Sequence, residues 1–519
     1  MYNFDCEDTY TQSANPQNQN PGVAVTDAAK KEGRKMKKRL VVLLTAAMAA
    51  CAVAGCGSSS SGSSGSTSST TAGTAAATEA AAETETEAAA ESTTENAEPS
   101  NPNATKVVFW NSWTGGDGDT LQALVDKFNT SQSDVYIDMT RTTSFADMLQ
   151  TNMPTGEAAD LILLNSNDFT KYSSYLLPID DIWDNTSLKK EDFSDTYLNL
   201  CYNNDQLYGI PFQISTYMLY YNKDLLEQAG YGEDEIPTTF DEWTEAAEKI
   251  TALSTADKPI YGSGLFYCYN GQNQAAIQRF GTDYIITGDE ENGFKANLLD
   301  NEAFANAMIW MKNLYDNGDN PKEKDIDSMM AAGQIGLEIN GGWLKGTLDA
   351  SDINYGIAKV PTVTGDDQDD WALGDVNCFY ITSSASDEEK AAAEKFIEWW
   401  MTGEGLEASD VTQQVDYSGM TPNTEWSVSM CYLNAYTPTV ESADYQGNQV
   451  LVDLTPSDSA QVQMFAAPGT LFWSDVATCQ ADYVQDWVFN GPTNPTYDDV
   501  QSFFEPYQED LESYISEYY

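Results

Sequence analysis

Lys106-Val-Val-Phe-Trp-Asn-Ser-Trp-Thr-Gly-Gly-Asp-Gly118 begins as a short apolar strand, Lys106 to Trp110, and runs into a loop, Asn111 to Gly118, with three glycines. Immediately after it, Asp119 to Asn129 sets Leu121, Leu124, Val125 and Phe128 at helical spacing on one face. Val135-Tyr-Ile-Asp-Met139 then alternates as a strand does. Asp160-Leu-Ile-Leu-Leu164 is apolar throughout, as expected in the middle of a sheet covered on both faces. Strands alternating with amphipathic helices predict an α/β architecture.

Further along, the chain carries explicit helix starts. Thr239-Phe-Asp-Glu242 reads as a capping box opening a helix with Trp243, Ala246, Ala247 and Ile250 on its inner face. Ser386-Asp-Glu-Glu389 opens another, whose Phe396, Ile397 and Trp400 form a buried stripe. Between them, Asn301 to Asn317 puts Phe304, Met308, Met311 and Tyr315 on one face and stops at Asn317-Gly318. Residues 106–519 are enough for two lobes of ordinary domain size.

Charge and composition remove whole classes of chemistry. Of 25 basic and 81 acidic residues, seven and five precede Cys56; the rest carries 18 against 76, a formal net charge of −58. A nucleic-acid partner is excluded, because binding one relies on a basic surface that neutralises phosphates. High negative charge favours solubility and weak self-association, so a monomer is expected. With no histidine in the chain, Ser-His-Asp and Cys-His mechanisms and His-ligated metal sites are absent. Cys201, Cys268, Cys378, Cys431 and Cys479 are widely spaced and odd in number, with no Cys-x-x-Cys pair for zinc. One or two disulfides would leave a thiol over, and the simplest reading is small buried apolar residues in a chain that folds without cross-links. Asp366-Asp-Gln-Asp-Asp370 lacks the EF-hand pattern and reads as a solvated loop. Neither metal nor cofactor is expected.

The N-terminal segment reads as an address. Met36 starts a basic head, Lys37-Lys38-Arg39, followed by an apolar run from Leu40 to Ala50 that is too short to span a membrane. Small residues then lead to Cys56, an arrangement that resembles a bacterial lipobox. That resemblance implies a signal at 36–55 cleaved before a diacylated Cys56, and anchorage to the outer face of the cell membrane. Residues 57–105, rich in Ser, Gly, Ala, Thr and Glu, cannot bury enough apolar surface to order. They would form a leash with an end-to-end distance of roughly 40 Å. Residues 1–35 fit nothing in this scheme and are set apart as an upstream extension.

Seven segments in order carry a family resemblance across the domain. They are Val107 to Gly115 with Asp126-Lys-Phe-Asn129; Asp160 to Leu164 with Leu177-Pro-Ile-Asp-Asp181; Tyr208-Gly-Ile-Pro-Phe212; Leu219-Tyr-Tyr-Asn-Lys-Asp-Leu225; Pro237 to Trp243; Leu337-Glu-Ile-Asn-Gly-Gly-Trp343; and Tyr355-Gly-Ile-Ala. The set closely resembles the extracellular solute-binding proteins of ABC importers, in the carbohydrate-binding, maltose-type group. The resemblance implies a two-lobe clamshell that captures a sugar or oligosaccharide between its lobes and hands it to a membrane permease. Crossings are expected near Pro211 to Tyr217 and Gly374 to Asn377. One lobe would comprise about 106–212 and 376–435, the other about 213–375 and 436–519.

Sugar capture needs flat aromatic platforms for the C–H faces of a pyranose and planar polar side chains for its hydroxyls. The 12 Trp and 29 Tyr are a heavy supply. By the resemblance, Trp343 stacks on sugar, Trp473 lines the cleft, and the stretch from Asn165 through Asn167 to Asp168 bonds hydroxyls. Gln213, Ser215 and Tyr217 lie at the first crossing, Asp375 and Asn377 at the second. Trp110 and Trp113 complete the candidates, although both suit lobe packing as well as a ligand. Trp473 also suits a helix stripe, and Asp168 and Asp375 also suit caps or turns. Ser215 stands where the family often has a carboxylate. Trp399 and Trp400 read as core. Gly341 and Gly342 would let backbone and ligand approach closely. The alternatives are a polyamine or other small-solute binder, a secreted glycosidase with paired carboxylates, and a surface adhesin. Anionic ligands fit poorly, because Arg141 and Arg279 are the domain's two arginines.

Overall fold

A computed structural model describes Pro99 and residues 101–518 apart from 269, 282–284, 290–292, 366–371, 405–419, 457–461 and 465–472. Cys56, the signal and almost all of the leash lie outside the described residues, as do the Asp366–Asp370 loop and the side chains of Trp473 and Cys479. The first strand, β1 (Thr105–Asn111), pairs in parallel with β2 (Val135–Arg141) and β3 (Leu161–Asn165). The intervening helix α1 (Gly116–Ser131) starts earlier than its apolar periodicity indicates, inside the glycine loop. Gly118 explains this, for a Cβ there would sit 2.1 Å from the Trp113 carbonyl oxygen. The loop is therefore a tight docking of backbone on backbone rather than an open coil.

A single long strand organises the rest. β4 (Gly209–Asn222) is buried along its whole length, and its two halves join different strands. Gly209 to Thr216 pair with β8 (Ala372–Ile381), whereas Tyr217 to Tyr221 pair with β6 (Ile335–Gly341). The sheet order is β2-β1-β3-β8-β4-β6, and β5 (Tyr261–Gly264) follows β6 at the edge. β7 (Tyr355–Ala358) adds to the C-terminal end of β4, and the short β9 (Leu433–Asn434) to Gln213 and Ile214 in its first half.

Each half of this sheet has its own hydrophobic core. The first gathers Phe109, Phe128, Leu163, Phe212, Phe379, Phe396 and Trp400, covered by α1, α7 (Asp387–Thr402) and α8 (Pro422–Met430). The second gathers Leu219, Trp243, Ile250, Met308, Met311, Leu337, Trp487 and Phe504. Its helices are α2 (Phe240–Thr251), α3 (Asn270–Phe280), α4 (Glu302–Asn317), α9 (Trp473–Asn490) and α10 (Tyr497–Tyr518). Trp399 and Trp400 are both fully buried. The expected helix signals appear as built features. Thr239 and Ser386 each close a capping box, and Gly318 ends α4 in the left-handed region at φ 82°.

Two helices face from the second half of the sheet toward the first core. α5 (Ile326–Ala331) and α6 (Gly342–Asp349) contribute Ile326, Met330, Leu344 and Leu348 to it. α6 also touches α1 directly, since a Cβ on Gly346 would lie 3.1 Å from the Cα of Gly116. The two halves are thus apposed through a glycine-to-glycine contact.

Candidate ligand-binding site

Parallel strands that end together leave their C-terminal edges as the natural place for ligand groups. β1 ends in Asn111 and the adjacent β3 ends in Asn165. Asn165 also caps the helix Ser166–Tyr172, its Oδ1 accepting from the Asn167 amide at 2.9 Å. Asn167 and Asp168 are half-buried in the first turn of that helix.

Register then builds a row of amides across four strands. Asn165 is opposite Asn377, Asn377 opposite Gln213, and Gln213 opposite Asn434. One step nearer the crossing, Asp375 is opposite Ser215. Cross-strand partners share a face, so these side chains form one polar surface. Ser215 Oγ accepts from Asn377 Nδ2 at 2.9 Å and from Gln213 Nε2 at 2.7 Å. Gln213 Oε1 accepts from Trp426 Nε1 at 2.9 Å, and Trp426 stacks on Trp113 with ring centroids 5.3 Å apart. Asn434 is held by Asn423 and Ser427. The row is preorganised from beneath by α8, so its amides cannot swing freely.

Asp375 is the exception within this ordered row. It is half-buried, yet its Oδ1 is enclosed and makes no hydrogen bond among the described residues. Burial pushes its carboxyl up to about 6; the Asn165 and Ser215 side chains oppose that rise, and the Asp168 charge adds to it. Asn111 shows the same incompleteness. It is fully buried with Oδ1 accepting from the Trp113 amide at 3.0 Å, while Nδ2 has no partner among the described residues.

Residues 213, 215 and 217 alternate along β4 and share one face, so the polar row leads directly to Tyr217 in the second half. Tyr217 meets Trp343 edge to face at 5.4 Å and 81°. Trp343 is half-buried and packs against both cores, as does Phe266. The neighbouring glycines serve a different purpose from the expected one. The Trp343 ring itself occupies the space beside Gly341, and the Met430 carbonyl with the Tyr432 ring occupies that beside Gly342. Gly271, at the start of α3, leaves room for the Tyr217 hydroxyl. One turn on, Gln274 is fully buried and neither of its amide atoms has a partner among the described residues.

Trp110 and Trp113 serve as packing residues outside this cluster. Trp113 is 9% exposed and spent on the Trp426 stack, and Trp110 is half-buried against the first core. Trp473 starts α9. Asn111, Asn434, Trp426 and Gln274 escaped sequence reading. Asn111 had a usable signal, since Val-Val-Phe-Trp-Asn and Leu-Ile-Leu-Leu-Asn both end a buried strand in Asn. Arg141 ends β2 buried, its Nη2 bonded to Asp119 at 2.9 Å, which neutralises it. Among the described residues no cluster of His, Cys, Asp or Glu is disposed to hold a metal.

Comparison with known proteins places the chain in a family and a fold. The chain is 25% identical over 303 residues to a maltotriose-binding protein of Pyrococcus abyssi, covering 57% of this chain and 62% of that one. It is 22% identical over 313 residues to the sn-glycerol-3-phosphate-binding periplasmic protein UgpB of Agrobacterium fabrum, covering 56% and 70%. Among solved structures, the GacH receptor of Streptomyces glaucescens superposes with a TM-score of 0.63 at 16% identity, over 80% of this chain and 99% of that one. Maltose-bound MalE3 of T. maritima superposes with a TM-score of 0.62 at 18% identity, over 79% and 100%. At those identities the structural likeness establishes the two-lobe α/β fold. A family profile described as bacterial extracellular solute-binding protein matches residues 123–425, more than half of the chain. The chain belongs to the bacterial extracellular solute-binding protein family.

Proposed function

We propose that this protein captures an uncharged sugar or oligosaccharide and delivers it to the permease of an ABC importer, performing no chemistry on it. The observation that carries this reading is the polar cluster of Asn165, Asn377 and Asp375, held from behind by the buried Gln213 and Asn434 and joined through β4 to the Tyr217–Trp343 aromatic pair. Planar amides match the vicinal hydroxyls of a pyranose and aromatic rings match its C–H faces. Ligand would favour the apposed arrangement through contacts with both lobes. In this reading Asn167, Asp168, Ser215, Asp375 and Trp473 also face the ligand, and lipid on Cys56 holds a monomer at the outer membrane face. The lobes divide within β4 near Thr216 rather than at 212, and the segment carrying Tyr436, Tyr445, Leu451 and Leu454 goes with the first lobe, contrary to the expected 436–519 assignment.

Two charged ligand classes fit less well. An anionic glycerophosphate would find few cations here, since Arg141 and Arg279 are the domain's two arginines and Arg141 Nη2 is bonded to Asp119. A polyamine needs a carboxylate for each ammonium, and this row is built mainly of neutral amides. A thermal-shift screen over mono- and oligosaccharides, spermidine and sn-glycerol 3-phosphate separates these classes. A saccharide is expected to raise the melting temperature in a saturable way. Stabilisation by spermidine or glycerophosphate alone would overturn the assignment.

A further inference from the structure

Two thiols meet beneath the strand that carries Asn377. Cys201 ends the 3-10 turn Asn199–Cys201, and Cys378 lies on β8. Their Sγ atoms are 3.3 Å apart, both residues are fully buried in the first core, and 177 positions of sequence separate them. Both are free thiols here, as is Cys431, while Cys268 in the second core is disulfide-bonded. The pairing of β8 with β4 slips between Asn377 and Cys378, so the thiol sits at a bulge, where local backbone adjustment is easiest.

We infer that Cys201 and Cys378 form a second disulfide in the secreted protein, formed while the chain folds. Bonded sulfurs are about 2.05 Å apart, so the pair must close by only about 1.3 Å. The oxidant is the disulfide of a thiol oxidoreductase. One cysteine thiolate attacks its S–S bond, which breaks to leave a mixed disulfide and one oxidoreductase thiolate. The second cysteine thiolate then attacks the mixed disulfide, forming the Cys201–Cys378 bond and releasing the oxidoreductase as a dithiol. The two cysteines lose two electrons and two protons, and the oxidoreductase gains them. Timing follows from burial, since the folded core admits no oxidant to either sulfur and burial pushes the Cys201 thiol up, leaving little thiolate to attack. The bond would tie the 199–201 turn to the strand that presents Asn377 to Ser215. It rests on the extracytoplasmic placement of this family, where disulfides persist.

The test takes the full chain as exported by its own cell, unfolds it in guanidinium with iodoacetamide and no reductant, and maps the digest by mass spectrometry. The expected result is a cross-linked pair of peptides containing Cys201 and Cys378, with Cys431 alkylated. Dithiothreitol should also lower the melting temperature of this protein by more than it lowers that of the C201A/C378A variant. Alkylation of both Cys201 and Cys378 overturns the inference. Cys268 tells the two failures apart: if it stays blocked, the pair itself was misjudged, and if it too is alkylated, the compartment was.

Discussion

Asp375 shows how one residue couples affinity to acidity. Its carboxyl titrates near 6 instead of the ordinary 3.8, so it is mainly ionised at pH 7.5 and mainly neutral at pH 5. A ligand hydroxyl donating to it binds the ionised form. Sugar affinity should therefore fall as pH drops through about 6, with a loss of about tenfold by pH 5. The stability of the empty protein moves the other way. A raised carboxyl pKa means that the folded state binds a proton more tightly than the unfolded one, so Asp375 makes the protein more stable as pH falls from 6 toward 3.8. Asp375→Asn should flatten both profiles, the first read by titration calorimetry at several pH values and the second by urea melts. Affinity independent of pH in the unsubstituted protein would remove Asp375 from the contact set.

Much of this row was legible residue by residue. Asn165, Gln213, Ser215 and Asn377 stand out as polar residues at strand ends or crossings. Asn434 did not, because its membership depends on pairing with Gln213, 221 positions earlier in the chain. Trp113 illustrates the converse. Its place after a strand and before glycines gave a surface-like context, but only the folded chain brings Trp426 against its face.

At the scale of elements, local rules account for most helix starts, and packing accounts for the departures. Thr239 and Glu242 exchange hydrogen bonds in the box that opens α2. Thr239→Ala should cost about 1 kcal/mol of stability in a urea melt, without changing ligand affinity. α1 begins early because Gly118 docks on the Trp113 carbonyl and Gly116 on Gly346, contacts that helical periodicity does not encode. The Gly116–Gly346 contact joins helices from the two halves. Gly346→Val would overpack the apposed arrangement alone, at a cost of about 1–2 kcal/mol. Ligand affinity should then fall by about tenfold while the ligand-free melting temperature changes little. An unchanged binding isotherm would mean that this contact is not part of the ligand-bound state.

For the whole molecule, the decisive feature is β4. Its first half belongs to one core and its second half to the other, so a single strand carries Gln213 and Ser215 on one side of the crossing and Tyr217 on the other. A twist near Thr216 would move the aromatic pair relative to the amide row, which is the geometry of a hinge beside its own ligand site. The alternation of strands and helices pointed to α/β lobes from the sequence alone. The merging of their sheets through one continuous strand was not legible, because Gly209 to Asn222 is apolar or small at many positions and periodicity does not say where partners change.

The most direct test is the binding isotherm of the most stabilising saccharide on the unsubstituted protein and on Trp343→Ala, with Trp399→Ala as a core control. The account predicts saturable one-to-one binding that Trp343→Ala weakens by at least about a hundredfold, consistent with loss of a stacked aromatic platform. It further predicts that the folded fraction of Trp399→Ala binds normally. Equal affinity in the unsubstituted protein and Trp343→Ala would contradict capture between the lobes.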